Sequence, residues 1–123
     1  MVARPLISVV DDDESVRESL PDLLKEFGFE ARTFSSAEEF LASESVGDTN
    51  CLVLDVAMPG MTGPDLQREL KNRDQSIPIV FITGHRDAAL RPRLIAQGAV
   101  DCPLKPFEPA DLLQALNTAL QAS

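Results

Sequence analysis

Short apolar segments alternate along the chain with longer segments in which apolar residues recur at helical spacing. The first, third and fourth apolar segments are almost continuously hydrophobic, as expected of parallel strands buried on both faces. The second contains charged residues and is predicted to be an edge strand. The five segments run from Leu6 to Val10, Phe29 to Phe34, Cys51 to Leu54, Ile79 to Thr83 and, more weakly, Ala99 to Cys102.

Residues that favour helix starts and stops mark the intervening helices. The first helix ends before Gly28, a residue suited to the position just past a helix end. The second begins at Ser35 or Ser36, because each serine is followed three residues later by a glutamate. The third begins at Thr62 with proline in its first turn, the fourth runs from Asp87 to Gln97, and the fifth starts at Pro109.

Two of these helices contain a proline within their predicted span, Pro21 in the first and Pro92 in the fourth. An interior proline costs on the order of 3 kcal/mol, since it lacks an N–H donor and clashes with the preceding turn. We therefore expect both helices to bend or to start late.

The strict alternation of strands and helices predicts an α/β fold: a five-stranded parallel sheet of order 2-1-3-4-5, flavodoxin-like and doubly wound, with five helices. No repeat or low-complexity tract interrupts the sequence, so residues 1–123 are expected to form a single domain. The apolar runs are too short to span a bilayer, and the N-terminus lacks the layout of a signal peptide. We expect a cytoplasmic protein with no membrane contact.

Composition narrows the classes of function. The chain carries 20 acidic and 11 basic side chains, a formal net charge of -9, which argues against direct contact with nucleic acid. Cys51 and Cys102 are far apart, each in an apolar stretch, and are expected to be buried thiols rather than a disulfide or a metal pair. His85 is the only histidine, which rules out a metal site built from several histidines.

Polar residues gather where four predicted strands end. Asp11 and Asp12 follow the first strand, Asp55 the third, Thr83 ends the fourth, and Lys105 follows the last. In open α/β sheets, ligands bind at the carboxyl ends of the strands. With strands one and three as neighbours, the first two aspartates face Asp55. The sequence therefore predicts one site with three carboxylates, a hydroxyl and an amine.

Electrostatics limits what such a group can do. Two carboxylates about 5 Å apart repel by roughly 3 kcal/mol at an effective dielectric near 20, so three together require a cation or a proton. Mg²⁺, a hard ion that prefers oxygen ligands, meets this requirement, and Lys105 adds a second positive charge. Phosphoryl transfer needs such charge neutralisation, and a carboxylate can accept the group as a nucleophile. Asp55 ends the most buried strand and is the best candidate nucleophile, with Asp11 and Asp12 as metal ligands.

Each of these residues also has an ordinary explanation when taken singly. The run from Asp11 to Glu14 is an acidic first turn of the kind that a helix dipole favours, and Thr83 is a common strand residue. Asp55 is suited to capping a turn, Lys105 to a solvated surface, and His85 to a loop or helix entry rather than catalysis. The functional interpretation depends on the coincidence of suitable residues at four strand ends.

Four motifs carry a resemblance that covers the chain from Leu6 to Leu120. They are Val9-Val10-Asp11-Asp12-Asp13-Glu14, Leu54-Asp55-Val56-Ala57-Met58-Pro59-Gly60-Met61-Thr62-Gly63, Ile82-Thr83-Gly84 and Leu104-Lys105-Pro106-Phe107. In this order and spacing they resemble the receiver domain of two-component response regulators. The runs Thr83-Gly84-His85 and Lys105-Pro106-Phe107-Glu108 are most similar to the FixJ-type subgroup, whose members usually carry a helix-turn-helix output domain.

The resemblance implies a phosphorylation site and a metal site at these residues. Asp55 would be phosphorylated by a partner sensor histidine kinase. Asp11, Asp12 and Asp55 would bind Mg²⁺ together with the backbone carbonyl of Ala57. Such a domain is not an enzyme beyond its own Mg²⁺-dependent phosphorylation and dephosphorylation.

The resemblance also implies a switch. Thr83 would be the hydroxyl that turns toward the phosphoryl oxygen, and Lys105 would pair with that group and be followed by a cis bond to Pro106. The family usually has Tyr or Phe at the switch position three residues before the lysine, where this chain has Cys102. A thiol is too small to fill the same space.

Phosphorylation is expected to shift a two-state equilibrium of the loop after Thr83 and of helix four. The shift would expose a surface for homodimerisation or for a C-terminal DNA-binding output domain outside this chain. Three alternatives remain: a degenerate receiver that binds a partner without phosphorylation, as Cys102 and the two helix prolines suggest; an aspartate-nucleophile phosphatase of the haloacid dehalogenase kind; and a flavodoxin. The phosphatases place their nucleophile after the first strand, and flavodoxins need a hydroxyl-rich phosphate loop.

Overall fold

The computed structural model describes residues 4–84 and 89–122 of the chain. Within these ranges, strands and helices alternate as far as the fourth strand, and two helices follow. In chain order the elements are β1 (Leu6–Val10), α1 (Glu14–Glu26), β2 (Glu30–Phe34), α2 (Ala37–Ala42), a short 3-10 helix (Glu44–Gly47), β3 (Cys51–Asp55), α3 (Gly63–Asn72), β4 (Ile79–Ile82), α4 (Leu90–Ala96) and α5 (Pro109–Ala122).

The four strands form a parallel sheet of order β2-β1-β3-β4. This order confirms β2 as an edge strand and places β1 beside β3, as the alternation of apolar and helical segments predicts. Every residue of β1, β3 and β4 is buried, whereas β2 has exposed positions. The α/β class is confirmed.

The prediction of a fifth strand is wrong within the described residues. The segment 99–104 lies along β4 but pairs with it only through two isolated bridges, Val80 with Asp101 and Thr83 with Leu104. In a parallel ladder the backbone N–H and C=O groups of every second residue face the neighbouring strand. After Asp101, the next residue of this segment whose backbone faces β4 is therefore Pro103. Because proline has no N–H, it cannot donate to the β4 backbone, and the ladder is interrupted there. We call residues 99–104 the edge segment.

Successive strand residues point to opposite faces of the sheet, so the core forms two layers. One layer packs buried residues of β3 and β4 against α2, α3 and α4, and the other packs β1, β3 and β4 against α1 and α5. Helices therefore cover both faces, as the doubly wound prediction requires. Cys51 and Cys102 are both buried and unpaired with each other, as expected from the sequence.

Helix ends agree with the local sequence signals. Ser36 is the N-cap of α2, and its side chain accepts a hydrogen bond from the Glu39 amide. Gly28, with φ of 91°, follows the end of α1. Pro92 lies in the first turn of α4, where backbone N–H groups have no intrahelical acceptor, so this helix starts late rather than bending. The predicted start at Asp87 lies outside the described residues.

Pro21 lies in the interior of α1, and the helix continues through it from Glu14 to Glu26. Leu20 and Leu24 on either side of this proline are buried in the core. Packing therefore holds the helix together across the lost hydrogen bond. Among the residues that the structure describes, no helix has both the length and the apolar character that crossing a membrane requires.

A glycine sets how closely α3 approaches β3. Gly63 is the first residue of α3, and its N–H donates to the Val56 carbonyl at 3.0 Å. A Cβ added at Gly63 would overlap the backbone carbonyl oxygen of Asp55 and lie 2.9 Å from the Phe81 ring. Thr62 caps the helix reciprocally with Asp65. The start of α3 therefore lies directly against the end of β3.

We expect Gly63→Ala to lower the free energy of unfolding by about 2 kcal/mol, because overpacking against backbone cannot relax through a side-chain rotation. Gly47→Ala is the matched control, since a Cβ there meets nothing within 4 Å. Urea denaturation followed by circular dichroism measures both variants. Equal stability of the two would contradict the close approach.

Candidate phosphoacceptor and metal site

Three aspartates converge at the carboxyl end of the sheet. Asp11 follows β1 directly, Asp12 comes next, and Asp55 ends β3, the strand beside β1. One oxygen from each of the three carboxylates lies within 4.8 Å of the others. Asp11 and Asp55 are buried and Asp12 is exposed. The fold therefore brings together the three carboxylates that were predicted to converge at the carboxyl ends of the strands.

The ammonium of Lys105 lies among these carboxylates. Its Nζ is 2.8 Å from Asp11 Oδ2 and 3.7 Å from Asp55 Oδ1. Burial would lower the pKa of Lys105, but the hydrogen bond to Asp11 and the negative charges of Asp55 and Asp11 leave that pKa above its ordinary value. The lysine is therefore charged at neutral pH. The peptide bond that follows it, to Pro106, is cis, as the resemblance implies.

Asp11 is held rigidly from all sides. Its Oδ1 accepts a hydrogen bond from the Asp13 N–H at 2.9 Å, and its Oδ2 accepts from Lys105 at 2.8 Å. Its backbone N–H donates to the Phe34 carbonyl at 3.1 Å, and its carbonyl accepts from Arg17 Nη1 at 2.9 Å. Each oxygen of this buried carboxylate thus accepts one hydrogen bond, and the backbone bonds hold the residue on both sides, so its orientation is fixed.

The charged form of Asp55 is less stable than that of an ordinary exposed carboxylate. Burial, followed by the negative charge of Asp11, raises the pKa of Asp55 to about 7, against the opposing effect of Lys105. One ammonium is thus insufficient to balance the cluster. A divalent cation bound by carboxylate oxygens would supply the missing positive charge.

Thr83 lies beside the end of β3. It follows β4 immediately, and its neighbour Ile82 is the register partner of Asp55. Thr83 is buried, its N–H donates to the Pro103 carbonyl at 3.3 Å, and its carbonyl accepts from the Lys105 N–H at 2.6 Å. The backbone therefore links Thr83 directly to Lys105.

Two further predicted site residues lie near this cluster in the chain. Ala57 is exposed in the loop between Asp55 and α3, two residues beyond the carboxylate. Cys102 is buried with Phe81 and Leu94 in one core layer, and burial, followed by the charge of Asp101, raises the pKa of its thiol to about 11. The roles of Ala57 as a metal ligand and of Cys102 as the switch position stay predictions. His85 lies outside the described residues.

Two residues that shape the site, Arg17 and Gly63, are not identified by the sequence patterns. Arg17 lies on α1 and reaches back to the Asp11 carbonyl, while Gly63 allows α3 to pack against the Asp55 backbone. Arg17 lies inside a helix, six residues beyond Asp11, so a search for polar residues at strand ends does not find it. For Gly63, the only signal in the sequence is its place beside Pro64 at a predicted helix start, and this signal indicates a helix boundary rather than a close approach to β3.

The fold and the acidic site together define a class of protein, and comparison with known families agrees with that class. Residues 7–117 match the family described as "Response regulator receiver domain". The chain belongs to this family and is a receiver domain of two-component response regulators. Receiver domains are not a classical enzyme family, and they generally use Mg²⁺ at an acidic pocket of this kind. Membership in this family excludes the phosphatase and flavodoxin alternatives.

Individual relatives are regulators about twice as long as this chain. Response regulator protein TmoT of Ectopseudomonas mendocina is 44% identical over 116 residues, which cover 94% of this chain and 53% of TmoT. Transcriptional regulatory protein FixJ of Azorhizobium caulinodans is 38% identical over 117 residues, covering 95% of this chain and 56% of FixJ. The crystal structure of FixJ-N has a TM-score of 0.87 and 36% identity, and the match covers 99% of this chain and 98% of that chain. The chain thus spans about half the length of the curated relatives it matches.

We expect Lys105→Met to destabilise the metal-free protein by about 2 kcal/mol, because it leaves the buried charge of Asp11 without its cation. In an Asp11→Asn background the same substitution is expected to cost less. Lys25→Met, at an exposed position of α1, is the control. Urea denaturation of the double-mutant cycle measures the coupling, and equal costs in both backgrounds would contradict the ion pair.

Proposed function

We propose that this receiver domain accepts a phosphoryl group on Asp55 in a Mg²⁺-dependent reaction. The observation that carries the proposal is the convergence of three carboxylates within 4.8 Å, with Lys105 Nζ at 2.8 Å from one and 3.7 Å from another. This arrangement concentrates negative charge and leaves an ammonium beside it. It suits the binding of a divalent cation and of a phosphoryl group at one place.

The donor set fits Mg²⁺. Carboxylate oxygens from Asp11, Asp12 and Asp55 are hard ligands, and the exposure of Asp12 leaves room for the waters that Mg²⁺ keeps. The backbone carbonyl of Ala57 is the proposed remaining protein ligand. When bound, the ion supplies positive charge against the oxygens of the incoming phosphoryl group.

Asp55 is better suited than Asp11 to act as the nucleophile. Both oxygens of Asp11 are engaged, one by the Asp13 N–H and one by Lys105. The side chain of Asp55 is 10% exposed, and its Oδ1 lies 3.7 Å from Lys105 Nζ, beyond hydrogen-bond distance. Asp55 is therefore less engaged than Asp11 and more accessible to a phosphoryl donor at the surface. The arrangement supports the proposal that Asp11 is a fixed ligand and that Asp55 is the group that reacts.

In the proposed step, an Asp55 carboxylate oxygen attacks the phosphorus of a phosphohistidine on the partner kinase. The new O–P bond forms as the N–P bond breaks, and the electron pair of that bond returns to the imidazole nitrogen. The product is an acyl phosphate on Asp55, whose phosphoryl group carries about 1.5 to 2 negative charges at neutral pH in place of the single charge of the carboxylate. Lys105, charged and already beside both carboxylates, stabilises those charges, and the hydroxyl of Thr83 is the proposed hydrogen-bond donor to a phosphoryl oxygen.

The domain that this receiver controls is inferred from the family and from the length of the relatives. Since the relatives are about twice as long, we infer that a DNA-binding domain outside this chain is the regulated partner, and that phosphorylation controls transcription through it. Homodimerisation on phosphorylation and a cytoplasmic location belong to the same proposal. This domain, with its net charge of -9, would not itself contact DNA.

We expect wild-type protein, incubated with Mg²⁺ and a small acyl phosphate, to gain the mass of one phosphoryl group. Asp55→Asn should gain none, because the amide cannot act as the nucleophile. Asp22→Asn, on the exposed surface of α1, should behave as wild type. Intact-protein mass spectrometry measures all three. No modification of folded wild type would instead favour the degenerate receiver.

We expect Mg²⁺ to raise the thermal midpoint of wild type, since it binds only the folded arrangement of carboxylates. Asp12→Asn should weaken Mg²⁺ binding about tenfold by removing one charged donor, while the exposed position leaves the metal-free fold intact. Thermal unfolding by circular dichroism over a range of Mg²⁺ concentrations gives both affinities. If Asp12→Asn and the Asp22→Asn control respond equally to Mg²⁺, the assigned site is wrong.

A further inference from the structure

An ion pair joins α4 to the edge segment. Arg91, in the first turn of α4, donates from Nε at 3.0 Å and from Nη2 at 2.8 Å to Oδ1 of Asp101. The same oxygen accepts the N–H of Cys102 at 2.8 Å. The Arg91 side chain is 61% exposed and that of Asp101 is 31% exposed. One carboxylate oxygen thus holds the helix and the edge segment together.

The opposite end of α4 is attached to a different element. The carbonyl of Gln97, just past the helix, accepts hydrogen bonds from Gln67 Nε2 at 3.2 Å and from Lys71 Nζ at 2.7 Å, both on α3. Between these two attachments, Leu94 is the residue of α4 that is buried in the core. A helix of seven residues with one buried side chain and a second, Leu90, partly buried against the same core layer has limited packing to fix its position. The polar contacts at its two ends therefore matter for where it lies.

A continuous chain of backbone contacts runs from Asp101 to the phosphoacceptor site. The Asp101 carbonyl accepts the Phe81 N–H at 3.0 Å, and the Pro103 carbonyl accepts the Thr83 N–H at 3.3 Å. The Thr83 carbonyl then accepts the Lys105 N–H at 2.6 Å. Because Lys105 is the cation beside Asp55, these hydrogen bonds connect the surroundings of Asp55 to Asp101 through the edge segment.

From these contacts we infer that the Arg91–Asp101 pair is a latch: it restrains the first turn of α4 in the unphosphorylated receiver and couples this helix to the edge segment, which Lys105 follows directly. The inference rests on the proposed phosphorylation of Asp55. Phosphorylation draws Thr83 and Lys105 toward the phosphoryl group, moves the edge segment and opens the latch. Opening the latch by substitution therefore favours the phosphorylated conformation.

The size of the effect follows from the exposure of the pair. Exposed ion pairs contribute little, so a broken latch should change the equilibrium between the two conformations by about two- to fivefold. Since ligand affinity and conformational equilibrium are linked, the affinity for a phosphoryl analogue should rise by the same factor. The chemistry at Asp55 itself is unchanged, because neither Arg91 nor Asp101 lies in the carboxylate cluster.

The test measures the affinity for beryllium fluoride in the presence of Mg²⁺ by fluorine NMR. It compares wild type with Arg91→Gln, Arg91→Lys and Asp101→Asn. Arg91→Gln leaves the hydrogen bond between Asp101 and the Cys102 N–H intact and is the cleanest variant. Arg73→Gln is the matched control, since it breaks an exposed pair with Glu69 on α3, away from the edge segment. We expect about two- to fivefold tighter binding for Arg91→Gln and Asp101→Asn, a smaller gain for Arg91→Lys, and none for the control.

The double variant of Arg91→Gln and Asp101→Asn should bind no more tightly than either single variant, because both open the same latch. If wild type binds beryllium fluoride and the variants bind it with the same affinity, the latch is overturned and the proposed function stands. Absence of binding by folded wild type would overturn the proposed function and, with it, the coupling. Amide hydrogen exchange without analogue gives a second measurement: exchange in α4, relative to α3, should be faster in Arg91→Gln, and equal exchange would overturn the latch whatever the analogue does.

Discussion

The repulsion among three carboxylates at one end of the sheet governs much of what surrounds them. Asp11 is fully buried and Asp55 nearly so, and burying two carboxylates side by side requires a compensating cation. Lys105 meets part of this requirement, and its place is fixed in turn by the hydrogen bond between its backbone N–H and Thr83. The edge segment, Thr83 and the start of α3 thus all lie beside a single concentration of negative charge. The remaining charge imbalance is what the proposed Mg²⁺ ion would offset.

The sequence predicts most of the sheet because burial on two faces leaves a clear pattern. β1, β3 and β4 are almost wholly apolar, and their strand ends locate Asp11, Asp55 and Thr83 without further information. The fifth strand could not be predicted correctly from apolar content alone. Pro103 is visible in the sequence, but its effect depends on the strand register. Its missing N–H interrupts the ladder only because that backbone position faces β4.

Contacts that depend on the path of a long side chain also escape the sequence. Arg17 reaches the Asp11 carbonyl, and Arg91 reaches Asp101, from helices whose orientation is set only by packing. Neither arginine stands out by spacing. Gly63 is different, since its need for close approach follows from a backbone contact with β3 that exists only once α3 has docked. The convergence of the site residues is thus more predictable than the contacts that hold them in place.

The edge segment also affects how the sheet meets other chains. An outermost strand normally offers a row of outward N–H and C=O groups with which a foreign strand can pair. Here the alternation that turns Asp101 and Pro103 toward β4 turns the Cys102 N–H outward, and that donor is already taken by the Asp101 carboxylate. The segment is short and irregular, and it is followed by the cis peptide bond to Pro106. This side of the sheet is therefore a poor template for strand addition, which protects an otherwise strongly apolar parallel sheet from aggregation through its edge.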